Sequence, residues 1–188
     1  METKVNLVLL AVLGVAWGAV TLAEPAAALD PAEASTTELA ALEDAFAADR
    51  SDPVLARRLA DQYLFLRSPQ MAVAALSASS PEVQEDPTIL HRLAQAYEET
   101  GRMDDALATA HLALARCARA LGTADASDLT PVPTHGCTER TYAALDMHAS
   151  ALGHMARWGV TDPQADPRSR TAYSLAVRSV RILSASAD

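Results

Sequence analysis

Aromatic side chains are scarce here, at 4% of a chain that is 50% hydrophobic. Alanine supplies much of the difference. It is the best helix former and too small to build a bulky core, so the composition points to closely packed helices. Glycine is rare, and β-branched residues beyond the N-terminus are sparse and unclustered, which argues against strands. Lysine occurs once, at Lys4, and every other cation is arginine, a bias that reads as genomic composition. The formal net charge of −9 leaves no basic excess for nucleic acid. Reaction signatures are missing as well. There is no GxSxG, no glycine-rich phosphate loop and no HExxH. No CxxC is present, which removes a thioredoxin-type pair, and no CxxCH, which removes covalent haem. The expectation is a protein that is not an enzyme and carries no cofactor.

What the sequence does have begins with an apolar run. Residues 5–23 are interrupted only by Asn6 and Thr21 and preceded by one cation, Lys4. A stretch of about 18 residues of this kind crosses a bilayer or directs secretion. "TLA" before Glu24 suits cleavage, while Glu2 beside Lys4, the length of the run and Trp17 near its far end suit a retained anchor. Both readings export the remainder to the periplasm or cell envelope, with membrane contact only through residues 5–22 if uncleaved. Residues 1–23 are thus a signal peptide or anchor, 24–35 a Pro/Ala/acid linker, and 36–188 the folded domain.

Within that domain the chain repeats itself. "DPVLARRLADQYL" at 52–64 and "DPTILHRLAQAYE" at 86–98 lie 34 residues apart and share six of thirteen positions. Asp52 and Asp86 suit helix N-caps, and Pro53 and Pro87 suit the first helical position, where no N–H is needed. Leu59 with Tyr63, and Leu93 with Tyr97, fall four apart on one helix face. The offset persists at Ala72/Ala106 and Ala74/Ala108. A 34-residue period built from helix pairs, with Leu93, Ala94, Tyr97, Gly101, Ala106, Ala113 and Leu114, resembles the tetratricopeptide repeat family. The match departs at Arg67, which stands where glycine belongs, with Pro69 taking over the turn. It departs again at Leu76 and Ala110, which replace a large aromatic. The resemblance implies an all-α fold, a right-handed superhelix of antiparallel helix hairpins, with about seven helices after the N-terminal one.

The flanks extend the stack. Leu39, Leu42 and Phe46 form one stripe in a preceding half-repeat. A longer helix runs from Thr138 to near Gly159. Asp166-Pro167 opens a last helix with Tyr173, Val177 and Val180 inward and Arg170, Ser174, Arg178 and Arg181 outward, the polar outer face a terminal helix needs.

Cys117 and Cys137 bracket a Gly/Ser/Pro-containing loop, and in an exported protein the expected outcome is a disulfide. The sharper alternative is a metal or redox module from Cys117, His135 and Cys137, with His111. Met147 with His154, and His148 with Met155, offer a copper(I) alternative on one helix. The first has no CxxC or HxxxH spacing, and for the second a close helix contact at Ala149, Ala151 and Gly153 with methionines filling gaps is the stronger reading, so no metal is expected.

In the family this chain resembles, the first helices of successive pairs line a concave groove for a protein segment. Carried over position by position, that groove is lined by Arg57, Asp61 and Leu64, and by His91, Gln95 and Glu98. Its mixed, mildly acidic character suits a guest with some basic residues. The expected function is a protein–protein adaptor in the bacterial envelope; the alternative is a membrane-anchored accessory subunit of a larger complex.

Overall fold

The computed structural model describes residues 31–122 and 136–185, with side chains over 37–122 and 136–179. The hydrophobic run 5–23, His135, Val180 and Arg181 therefore lie outside the described side chains. Among the described residues every regular element is a helix, and none of these helices is long and apolar enough to cross a membrane. The helices are α1 (Pro31–Ala48), α2 (Pro53–Phe65), α3 (Pro69–Ser77), α4 (Pro81–Gln84), α5 (Pro87–Glu99), α6 (Met103–Ala120), α7 (Glu139–Arg157) and α8 (Arg168–Ala185). The chain divides into residues 1–38 and a compact unit, residues 39–188. The end of the expected linker is already helical, because α1 starts at Pro31.

Inside the compact unit three helix–turn–helix pairs follow one another: α2 with α3, α5 with α6, and α7 with α8. Each later pair packs through its first helix on the second helix of the pair before it, α5 on α3 and α7 on α6, and α5 also lies beside α2. The two matched segments open their helices alike. Asp52 Oδ1 accepts from the backbone N–H groups of Val54 and Leu55, at 2.7 and 3.3 Å. Asp86 Oδ1 accepts from Thr88 and Ile89 at the same two distances. Ala60 and Ala94 are both fully buried, as are Ala72 and Ala106. The small residues that dominate the sequence sit where helices touch, which is why a core so poor in aromatics still closes.

Both first helices also end alike. Ser68 N–H reaches back to the Tyr63 carbonyl and Arg102 N–H to the Tyr97 carbonyl, each at 2.9 Å, with the residue before in the left-handed region. That residue is Gly101 (φ +75°) in the second unit and Arg67 (φ +56°) in the first. A β-carbon disfavours this conformation by roughly 1–2 kcal/mol, and glycine avoids the cost but loses more chain entropy. Arg67→Gly is expected to raise the unfolding free energy by about 0.5–1 kcal/mol. Urea titration checks it; an unchanged or lower midpoint would contradict a strained Arg67. Gly101 is held to its identity twice, since a β-carbon there would also meet the Thr161 carbonyl oxygen at 3.2 Å.

The core follows the stacking. Leu42 and Phe46 join Leu59, Tyr63, Leu76 and Ile89 in one cluster, with Leu39 packed against it. Met103, Ala110, Leu152, Met155, Val160 and Ala172 form the next. In α8 the buried face is Ser169, Ala172 and Ala176, with Tyr173 half-buried beside it. Val177, expected inward, is exposed. Residues 169, 172 and 176 recur at helical spacing and are all small, so α8 approaches α7 closely on that face and turns Val177 out. Arg170, Ser174 and Arg178 are exposed as expected.

Candidate functional site

The first helices of the three pairs, α2, α5 and α7, converge on a hollow of about 340 Å³, and a second of about 200 Å³ adjoins it between α2, the opening of α5 and Gly136. Arg57, Thr88 and Gly136 border both. His91, Arg92, Arg140, Thr141 and Ala144 complete the larger one, and Pro53, Val54 and Asp86 the smaller. Three arginines from three helices thus share one cleft in a chain whose formal charge is −9.

The arginines differ in what they already hold. Arg92 pairs with Asp61 across the α2–α5 contact, and its Nη1 donates to Gln95 Oε1 at 2.8 Å. Arg57 and Arg140 are exposed and form no ion pair among the described residues. The hydroxyls nearby are occupied: Thr88 donates to Asp86 Oδ1 at 2.6 Å, and Thr141 to the Gly136 carbonyl at 2.8 Å. The charged side chains left unpaired at the larger hollow are therefore the Arg57 and Arg140 guanidiniums, with the His91 imidazole beside them. Gly136 (φ +85°) closes one side so tightly that a β-carbon on it would come within 2.7 Å of the Thr88 methyl.

Asp52 and Asp86 set the openings of α2 and α5, and so the placement of Arg57 and His91. Asp52→Ala and Asp86→Ala are expected to cost about 1 kcal/mol each, the larger loss at the buried Asp86, where Thr88 also loses its acceptor. Thermal unfolding of the two variants compares them; equal, negligible shifts would count against the caps.

Beneath the cleft lies a polar cluster. Glu98 is only 9% exposed. Its Oε2 lies 2.9 Å from His148 Nε2, and Tyr173 OH donates to both carboxylate oxygens at 2.8–2.9 Å. The ring of His148 lies 5.1 Å, centroid to centroid, from that of His91, and its Nδ1 is buried without a hydrogen-bond partner. Burial first, then the Glu98 charge, pushes the Tyr173 hydroxyl well above its ordinary range. Burial first, then His148 and Arg92, holds His91 down to about 4 from an ordinary 6.5.

The depressed His91 value fixes a sign. Between pH 6.5 and about 4 the unfolded chain binds a proton that the folded chain refuses, so stability falls as pH drops through that window. His91→Gln removes this loss. Its stability relative to the unaltered protein is expected to improve by about 2 kcal/mol from neutral pH to about pH 4.5. Urea titrations at both pH values test it; a pH-independent difference would remove His91 as the cause.

The six residues expected along the groove separate. Arg57 and His91 line the cleft. Asp61 and Gln95 sit beside it, both engaged by Arg92. Leu64 packs half-buried on the first core cluster. Glu98 is a correction: it is buried against His148 and Tyr173 and does not line the cleft. The cleft is also cationic where a mildly acidic wall was expected. The expected groove did not include Arg92 or Arg140. Arg140 lies beyond an insertion that breaks the 34-residue count, so nothing in the spacing aligned it with Arg57.

Cys117 and Cys137 come to disulfide distance, their Cα atoms 5.5 Å apart. Cys117 is fully buried with Leu90, Ala113 and Leu145. The alternative copper pairs are otherwise engaged: His148 by Glu98, Met155 within the core, and His154 Nδ1 by an Arg157 guanidinium nitrogen at 2.8 Å. No match to this chain arises from protein-family models, curated proteins or solved structures.

Proposed function

We propose that the chain is a tetratricopeptide-like adaptor of the cell envelope, a right-handed superhelix of hairpins that binds a segment of a partner protein in the cleft between α2, α5 and α7. The observation that carries this reading is the convergence of three first helices on one open hollow with unpaired side chains at its border. Equivalent caps, buried alanines and left-handed turn residues at the 34-residue offset support the repeat. The cysteine pair at disulfide distance supports an oxidising compartment, in keeping with the apolar run 5–23. Binding without chemistry is what such a wall offers: an extended contact surface on rigid helices, with affinity spread over several side chains.

The test is quantitative co-purification of the full chain from solubilised membranes. Proteins enriched by the unaltered chain are expected to fall at least about fivefold with Arg57→Glu/Arg140→Glu and to persist with Arg170→Glu, an equal type of charge change on α8. An identical set of proteins from all three would sink the adaptor assignment.

A further inference from the structure

We infer that the guest of this cleft is an extended acidic peptide segment, whose carboxylates bridge Arg57 on α2 and Arg140 on α7. This rests on the adaptor reading and names the partner's chemistry. Arg57 and Arg140 border the same hollow of about 340 Å³, are exposed, and have no ion pair among the described residues. Arg92 between them is already neutralised by Asp61. The neighbouring hydroxyls of Thr88 and Thr141 donate to Asp86 and to the Gly136 carbonyl. The unpaired charge left on the wall is positive, so a complementary guest supplies negative charge. Guanidinium pairs with carboxylate in a two-pronged geometry, which adds direction to the attraction.

Two separate guanidiniums on one open cleft suit a guest that offers several carboxylates along its length. In an extended chain, alternate side chains fall on one side about 7 Å apart, so one short segment presents two carboxylates to two separate guanidiniums. The two hollows share Arg57, Thr88 and Gly136 and so adjoin one another, with Arg57 within reach of a segment in either. A membrane surface or a nucleic acid spreads its charge far beyond the cleft, where a chain of net charge −9 repels it. The half-buried His91, with Ala144, gives the hollow a less charged floor on which a peptide's side chains and backbone rest.

The experiment is fluorescence anisotropy with the full chain and three labelled ten-residue peptides of matched length. One alternates Glu with Ala, one Gln with Ala, and one Lys with Ala. The acidic peptide is expected to bind at least about tenfold more tightly than the neutral one and to weaken as salt rises. Arg57→Gln/Arg140→Gln is expected to remove that preference, and Arg57→Glu/Arg140→Glu to reverse it, with Arg170→Glu unchanged. Circular dichroism and urea midpoints confirm that the variants fold; these arginines are exposed, so both are expected to match the unaltered chain. Equal binding of all three peptides overturns the inference. So does acidic-peptide binding that survives both double variants, or tighter binding to vesicles containing phosphatidylserine than to the peptide. If the neutral or basic peptide binds best and the cleft variants abolish it, the acidic guest is wrong while the adaptor reading stands. If none of the peptides binds and co-purification is insensitive to the cleft, both fall.

Discussion

Glu98→Ala is expected to lower the free energy of unfolding by about 3–4 kcal/mol. The change removes the acceptor of Tyr173 OH and the partner of His148 Nε2 in one step, and both belong to elements that only tertiary packing brings to α5. His148 Nδ1 already lacks a partner, so this ring would be buried with neither nitrogen satisfied. Buried polar groups left unpaired cost about 1–3 kcal/mol each, and the vacated volume adds to that. The first unit shows how the penalty is avoided, since Leu64 stands at the equivalent position, 34 residues earlier. Glu98→Leu with His148→Leu and Tyr173→Phe is therefore expected to recover most of the loss, ending within about 1.5 kcal/mol of the unaltered protein. Urea unfolding of the single and triple variants decides this. A single variant within 1 kcal/mol would mean that water reaches the cluster, contrary to its burial.

The second large effect belongs to the cysteines. Cys117→Ala/Cys137→Ala is expected to cost about 3 kcal/mol, the chain-entropy value for closing a loop of this length. Reductant should bring the unaltered protein to a similar midpoint and leave the double variant unmoved. The consequence reaches the cleft, because Cys137 follows Gly136, which borders both hollows and sits against Thr88. Loosening that corner is expected to weaken guest binding even though no cysteine lines the wall. Two titratable thiols in protein purified from its own compartment would contradict the bond.

How much of this was readable in the sequence varies with how local each feature is. Asp52-Pro53 and Asp86-Pro87 announce their helices because capping involves only residues two or three apart. Leu42, Phe46, Leu59 and Tyr63 announce the core because helical periodicity is a short-range signal. Arg67 was legible as a departure from glycine, and the chain keeps the left-handed turn there regardless. Glu98 was misread because its partners lie 50 and 75 residues away, and a polar residue on a first helix looks like a groove residue until they appear. Val177 shares a helical stripe with Tyr173, which predicts burial, whereas the α7–α8 contact selects the small residues beside it. The sign of the cleft depended on Arg140, whose distance in sequence from Arg57 carries no period.

Photo-crosslinking in cells tests the central claim most directly. A benzophenone side chain is placed in the full chain at Val54 or Thr141, on the wall, or at Met71 or Leu112, exposed on the second helices α3 and α6. Protein adducts at Val54 and Thr141, of one shared mass and missing at Met71 and Leu112, are the predicted result. Adducts confined to the second helices, or equal at all four positions, would contradict a partner seated among α2, α5 and α7.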